Sequence, residues 1–190
     1  MILKNKTLIL GSKSPRRKEL LEGLGIKFII RTKDTDESFP SSLPSTEVAT
    51  FIATKKADAL LLDLSANEIV LCSDTVVIVD DLILGKPIDE KDAKSMLNIL
   101  SGRTHQVITG VVIASIDKTI SFDVTTNVTF KNLSKEEISF YVTNYKPYDK
   151  AGGYGIQEWI GYIGVSSLEG SYFNVVGLPT HEVYKALSEF

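Results

Sequence analysis

Four of the six residues from Lys13 to Lys18 are cationic: Lys13, Arg16, Arg17 and Lys18. Ser14 suits an N-cap and Pro15 the first helical position. A helix start already carries about half a positive charge from its macrodipole. Cations in the first turn therefore destabilise such a helix, unless an anion binds there and reverses the sign. Free N–H groups, the dipole and the Arg side chains would then all face that anion. The alternative is a solvated helix start with unrelated basic residues. The segment is neither a Walker A loop nor a Gly-x-Gly-x-x-Gly fingerprint.

Asp74 interrupts the run Ile69–Val79, which is otherwise built for burial. An isolated buried carboxylate is costly unless it is paired, hydrogen-bonded or bound to metal. Such a residue is a candidate general base or metal ligand. It could equally mark a strand end, a bulge or an edge.

Further cations stand where binding residues occur. Lys55 and Lys56 fall on the apolar side of a helical pattern, and Lys86 lies in the loop Gly85-Lys86-Pro87. Each has a plain reading as a solubilising or snorkelling lysine. Together with Arg16 and Arg17 they would supply the cations that a triphosphate needs. The loop Asp149–Gln157 holds three glycines in four positions, at 152, 153 and 155. Glycine permits close backbone approach to a ligand or positive φ. Gln157 offers a donor and an acceptor, as a base edge requires. The alternative is a tight connection without a ligand. His105 and His181 lack metal-ligand spacing and read as structural or solvent-facing. Cys72, the single cysteine, sits in an apolar run and reads as a core residue.

The elements that must carry these groups follow from periodicity and turn chemistry. Residues 7–10 and 28–30 read as strands flanking the basic helix, which stops at Gly23 or Gly25. Residues 31–44 read as a loop. A helix over about 46–62 places Val48, Phe51, Ile52, Ala59 and Leu60 on one side. A strand over 69–79 turns at Asp80-Asp81 into 82–84. Asp89 caps a helix carrying Ala93, Met96, Leu97 and Leu100. Strands over 107–116 and 120–131 follow, the second half-exposed. Ser134 and Glu137 form a capping box for a helix to about Asn144. Residues 162–165 and 172–176 read as short strands, and Pro179 opens a last helix with Val183, Tyr184 and Leu187. This mixture of βα units and consecutive strands points to α/β with a mixed sheet.

The 190 residues are 43% apolar, enough for one well-cored domain or two small lobes. A net charge of −3 gives no global footprint for nucleic acid or an acidic membrane. No apolar run reaches the roughly 20 residues of a membrane span. Met1 to Lys6 lacks the apolar core of a signal peptide. A lone cysteine fits a reducing compartment. The expected setting is therefore the cytoplasm.

Several blocks, in order, resemble the Maf-like nucleoside triphosphate pyrophosphatases. They are Leu10–Leu21, Ser73–Val77, Leu84–Pro87, Leu100–Val107, Asp149–Gln157, Gly170–Tyr172 and Val176–Pro179. The resemblance implies a single domain of two lobes, with a mixed, strongly bent sheet, flanking helices and the active site in the cleft. It implies cleavage between the α- and β-phosphates of a nucleotide. The family's proton acceptor matches Asp74, and its specificity positions match Arg16, Thr75 and Gln157. Its phosphate-contacting lysines match Lys56 and Lys86, and its N-terminal serine matches Ser12. The Asp34–Glu37 segment resembles the family's acidic element. With Asp74, Glu37 is thus expected to face a divalent cation, Mg²⁺ or Mn²⁺.

Asp74-Thr75 and Gly155-Ile156-Gln157 resemble the branch that acts on dTTP and UTP. The branch for methylated GTP reads Asp-Gln and Ser-Glu-Gly there. Gly11 and Lys13 replace small residues of the family pattern. Glu158-Trp159 follows Gln157 where the family has glycine, so Trp159 is expected to alter the base pocket. The expected partner is a nucleoside triphosphate, with CTP and modified pyrimidine nucleotides as further substrates. A homodimer is allowed for, and neither nucleic acid nor membrane is expected. Two other functions stay open: a nucleotide-sensing regulator of septum formation, and a pyrophosphatase for non-canonical purine nucleotides.

Overall fold

A computed structural model describes residue 3 and residues 5–190. The leader-free reading of the N-terminus therefore rests partly on residues 1, 2 and 4, which lie outside the described residues. Among the described residues, β1 (Thr7–Leu10), β2 (Phe28–Ile30), β3 (Glu68–Val79), β4 (Leu82–Leu84), β5 (Thr104–Ala114), β6 (Thr119–Phe130) and β7 (Val165–Glu169) form a mixed seven-stranded sheet in the order β2-β1-β3-β5-β6-β7, with β4 added on β3, and helices flank it. The chain divides into two compact units, Met1–Asp74 with Thr109–Val124 and Gly177–Phe190, and Thr75–Ile108 with Thr125–Val176. Three long strands, β3 (Glu68–Val79), β5 (Thr104–Ala114) and β6 (Thr119–Phe130), contribute residues to both units.

In the first unit, β1 (Thr7–Leu10) lies between β2 (Phe28–Ile30) and the start of β3, all parallel. Parallel strands covered on both faces need continuous apolar sequence, which explains the unbroken run Ile69–Cys72. Leu8, Leu10, Ile69, Leu71, Val111 and Ile113 pack with Leu21 of α1 (Pro15–Gly23) and with Val183 and Leu187 of α7 (Thr180–Leu187). The alternate residues Ile9, Val70, Cys72, Val112 and Ala114 pack with Ala53, Ala57 and Leu60 of α2 (Val48–Leu61). Phe51 and Ala59, expected on the buried stripe of α2, are half-buried; Ala49, Ala53 and Ala57 take the centre instead. Small residues there let the helix approach the sheet closely. At Gly110 a Cβ would lie 2.3 Å from the Thr50 backbone nitrogen, so that position accepts glycine alone.

In the second unit, the end of β3 pairs antiparallel with β4 (Leu82–Leu84). Asp80 and Asp81 turn the hairpin with φ of 47° and 64°, the primed turn that suits strand twist. Asp89 caps α3 (Glu90–Leu100) by accepting from the Asp92 N–H. Ala93, Met96, Leu97 and Leu100 are buried. The capping box of Ser134 and Glu137 starts α4 (Lys135–Tyr145). β6 pairs antiparallel with β7 (Val165–Glu169).

The strands expected at 162–165 and 172–176 are instead helical: α5 (Trp159–Gly164), which ends where β7 begins, and α6 (Tyr172–Val176). Their β-branched and aromatic residues favour strands locally, but tertiary contacts decide. Ile160 is buried, and a Cβ at Gly161 would lie 1.8 Å from the Ile156 carbonyl oxygen. Asn174 donates to the Val107 carbonyl at 3.0 Å and to Thr126 Oγ1 at 2.9 Å.

His105 is buried in this unit among Phe130 and Tyr154, with Nε2 2.7 Å from the Tyr154 hydroxyl. Burial lowers its pKa from 6.5 to about 4. The unfolded chain therefore takes up this proton as pH falls through 6.5, whereas the native chain resists until about 4. Stability drops across that window, by about 3 kcal/mol in all from this group. Denaturant titrations from pH 7 to 4 should show that slope, and His105→Gln should flatten it.

Candidate active site

Two carboxylates of the first unit converge on one ammonium. Lys56, on α2, donates to Asp74 Oδ1 at 2.7 Å. The same Nζ lies 2.7 Å from Glu37 Oε1. The side chains of Lys56 and Asp74 are 17% and 16% exposed, that of Glu37 52%. Asp74 thus resolves as a paired carboxylate inside β3 and not as a strand end. The long loop that bears Glu37 also pairs Asp34 with Lys13 and Asp36 with Lys55. Lys13 is largely exposed, so its charge answers Asp34 at the surface. Hydrogen bonds from Ser38, then Lys55, hold the Asp36 carboxyl down at about 2.

The basic helix start lies in the same unit. Ser14 caps α1 by accepting from the Arg17 N–H, with Pro15 in the first turn. Arg17 turns inward: Nε donates to the Gly177 carbonyl at 2.9 Å and Nη1 to Ser12 Oγ at 3.3 Å. Burial lowers the Arg17 pKa, while the charges of Asp74 and Glu37 raise it and Arg16 lowers it further. Arg17 therefore shares an electrostatic environment with Asp74, Glu37 and Arg16. Ser12 is buried, and its hydroxyl also accepts from the Ser14 N–H at 3.2 Å. Burial pushes the Cys72 thiol up to about 12, which leaves it a neutral core residue.

The second unit holds the remaining expected residues. Thr75 follows Asp74 on β3 and is half-buried. Lys86 is exposed in its loop. The Gly152 N–H donates to the Gly85 carbonyl at 3.0 Å, which ties the Lys86 loop to the glycine-rich loop. Gly152 and Gly153 have φ of 69° and 70°, the conformation that explains the glycine cluster. Gln157 is half-buried, and its Oε1 is shielded without a hydrogen-bond partner. Trp159 stacks obliquely on Phe140, with ring centroids 4.7 Å apart.

Sequence patterns alone do not single out Arg17 from its cationic neighbours, and they leave Lys150 and Tyr141 without a role. Lys150 is buried and sits 2.7 Å from Asp149 and 3.1 Å from Glu158. A lysine inside a glycine-rich loop, with acids at both ends, was the available signal.

Among the described residues no group of three or more His, Cys, Asp and Glu side chains could hold a metal ion. Two carboxylates, Glu37 and Asp74, do meet at Lys56. That set fits a Mg²⁺-type cation, which commonly uses one or two carboxylates and takes its other oxygens from water and substrate phosphates. No helix among the described residues is long and apolar enough to cross a membrane.

Residues 7–190 match the model for Maf-like protein, and the chain belongs to that family. It is 48% identical to a dTTP/UTP pyrophosphatase of Parabacteroides distasonis, over 99% of this chain and 98% of that one. A dTTP/UTP pyrophosphatase of Phocaeicola vulgatus is 49% identical, over 98% and 97% of the two chains. One of Christiangramia forsetii is 48% identical, over 99% and 96%.

Proposed function

We propose that this chain hydrolyses the anhydride between the α- and β-phosphates of dTTP and UTP, releasing a nucleoside monophosphate and pyrophosphate. Family membership and near-full-length relatives named dTTP/UTP pyrophosphatase support the reaction. The observation that carries the site is Lys56 Nζ held 2.7 Å from both the Asp74 and Glu37 carboxylates.

Asp74 is the general base. It takes a proton from water, the water oxygen bonds to the α-phosphorus, and the bond to the bridging oxygen breaks with pyrophosphate leaving. Ser12, Arg16, Lys56, Lys86 and the start of α1 hold the phosphates. Such preorganised positive charge supplies much of the rate enhancement in phosphoryl transfer. Glu37 and Asp74 would hold Mg²⁺ or Mn²⁺, which supplies charge neutralisation at phosphate oxygens. Thr75 and Gln157 select the pyrimidine. Residues 1–190 act as one domain in this reading, in the cytoplasmic nucleotide pool, with CTP and modified pyrimidine nucleotides as secondary substrates. A homodimer is compatible with it.

The test is pyrophosphate release from a panel of ribo-, deoxyribo- and modified triphosphates, with Mg²⁺, Mn²⁺ or chelator. dTTP and UTP should turn over fastest, and chelator should stop the reaction. Preference for ITP would overturn the pyrimidine assignment. Tight nucleotide binding without pyrophosphate release would favour a sensor linked to septum formation.

A further inference from the structure

We propose that Glu158 is a positioning residue for base recognition, clamping the turn that presents Gln157. This rests on the assignment of Gln157 as a reader of the pyrimidine.

The turn is pinned at both ends. The Glu158 N–H donates to the Gly155 carbonyl at 3.0 Å, closing the backbone around Ile156 and Gln157. The Gly155 N–H donates to the Tyr141 hydroxyl at 2.9 Å. That hydroxyl in turn donates to Glu158 Oε2. Glu158 Oε1 lies 3.1 Å from Lys150 Nζ, which also donates to Asp149 Oδ1 at 2.7 Å. One phenol from α4 therefore joins the residues on either side of Ile156-Gln157, and an ion pair with the buried Lys150 holds the half-buried carboxylate.

Three further observations show that Glu158 is committed to this task. It is the N-cap residue of α5, yet its side chain makes no cap hydrogen bond. A Cβ at Gly155 would lie 2.9 Å from Glu158 Cδ and 3.1 Å from Lys150 Cε, so the turn packs directly on the pair. Burial, then the Glu158 carboxylate, push the Tyr141 phenol well above its ordinary range, which keeps it a neutral donor. Ile156 is buried in the core, so Gln157 is the side chain whose direction the clamp sets toward a ligand. Its Oε1 is shielded and has no hydrogen-bond partner within the protein, which leaves the acceptor free for a ligand group. Holding an amide in its reading pose before the base arrives lowers the ordering cost of recognition.

Glu158→Gln and Tyr141→Phe test the clamp, each assayed on dTTP, UTP, dCTP and dGTP. KM for dTTP and UTP should rise roughly ten-fold with kcat retained, because small misplacements of a positioning group weaken recognition strongly. The preference for dTTP over dGTP should fall in parallel. Inhibition by tripolyphosphate, which has no base, should stay unchanged. The double variant should be no worse than the weaker single variant, as expected for one shared network. Tyr141→Phe removes one hydroxyl and no charge, so it carries the test if Glu158→Gln does not fold. Unchanged base preference in Tyr141→Phe and Glu158→Gln would overturn the clamp, provided Gln157→Ala loses that preference. Unchanged preference in Gln157→Ala would overturn the base-reading assignment and the clamp with it.

Discussion

Asp74→Asn should lower dTTP turnover by roughly a thousand-fold or more, the scale of losing a positioned general base. The substitution keeps the shape of the side chain. Its amide oxygen can still accept from Lys56, whose other partner, Glu37, lies 2.7 Å away. Asn cannot take the proton from water. The loss should therefore fall on kcat, with nucleotide affinity and thermal midpoint close to those of the parent. Stopped-flow or steady-state pyrophosphate release, with calorimetric titration of dTTP, separates the two quantities. Near-normal turnover in the variant would remove Asp74 from the base role.

Lys56→Met should lower kcat/KM for dTTP by about a hundred-fold or more, the scale of losing one preorganised donor to developing charge. The methionine fills similar volume but leaves Glu37 and Asp74 without the ammonium that bridges them. Two like charges then face the incoming phosphates, which also weakens ground-state binding. Tripolyphosphate inhibition should weaken alongside substrate KM, because the missing group acts on phosphate and not on the base. Weaker dTTP binding with unchanged tripolyphosphate inhibition would contradict a phosphate role for Lys56.

Much of the scaffold around these residues was legible because local rules and tertiary packing agree. Ser14-Pro15, Asp80-Asp81, Asp89 and the Ser134–Glu137 box each place an element boundary through their own hydrogen bonds or dihedrals. Asp74 was visible as a carboxylate in a buried strand. Its partners were less so. Lys56 looks like any snorkelling lysine until α2 is rotated so that Ala49, Ala53 and Ala57 face the sheet, and that rotation depends on the close approach at Gly110. Glu37 sits in a loop with no periodicity, and its place depends on the ion pair itself.

Arg16 and Arg17 are indistinguishable by local pattern. Arg17 turns inward to the Gly177 carbonyl and the Ser12 hydroxyl, contacts that its local pattern does not reveal. The short helices α5 and α6 were illegible for a related reason. Their apolar, β-branched residues carry strand propensity, whereas Ile160 and Asn174 are fixed by contacts distant in sequence. The Glu158 clamp similarly gathers residues from 141 to 158 around one hydroxyl.

The most direct measurement is the product pair formed from dTTP by the full chain with Mg²⁺, resolved by anion-exchange chromatography in ¹⁸O-labelled water. The predicted result is dTMP and pyrophosphate in equal amounts, with the label in dTMP and both products lost in Asp74→Asn. Formation of dTDP and orthophosphate, or label in pyrophosphate, would contradict attack of an Asp74-activated water at the α-phosphorus.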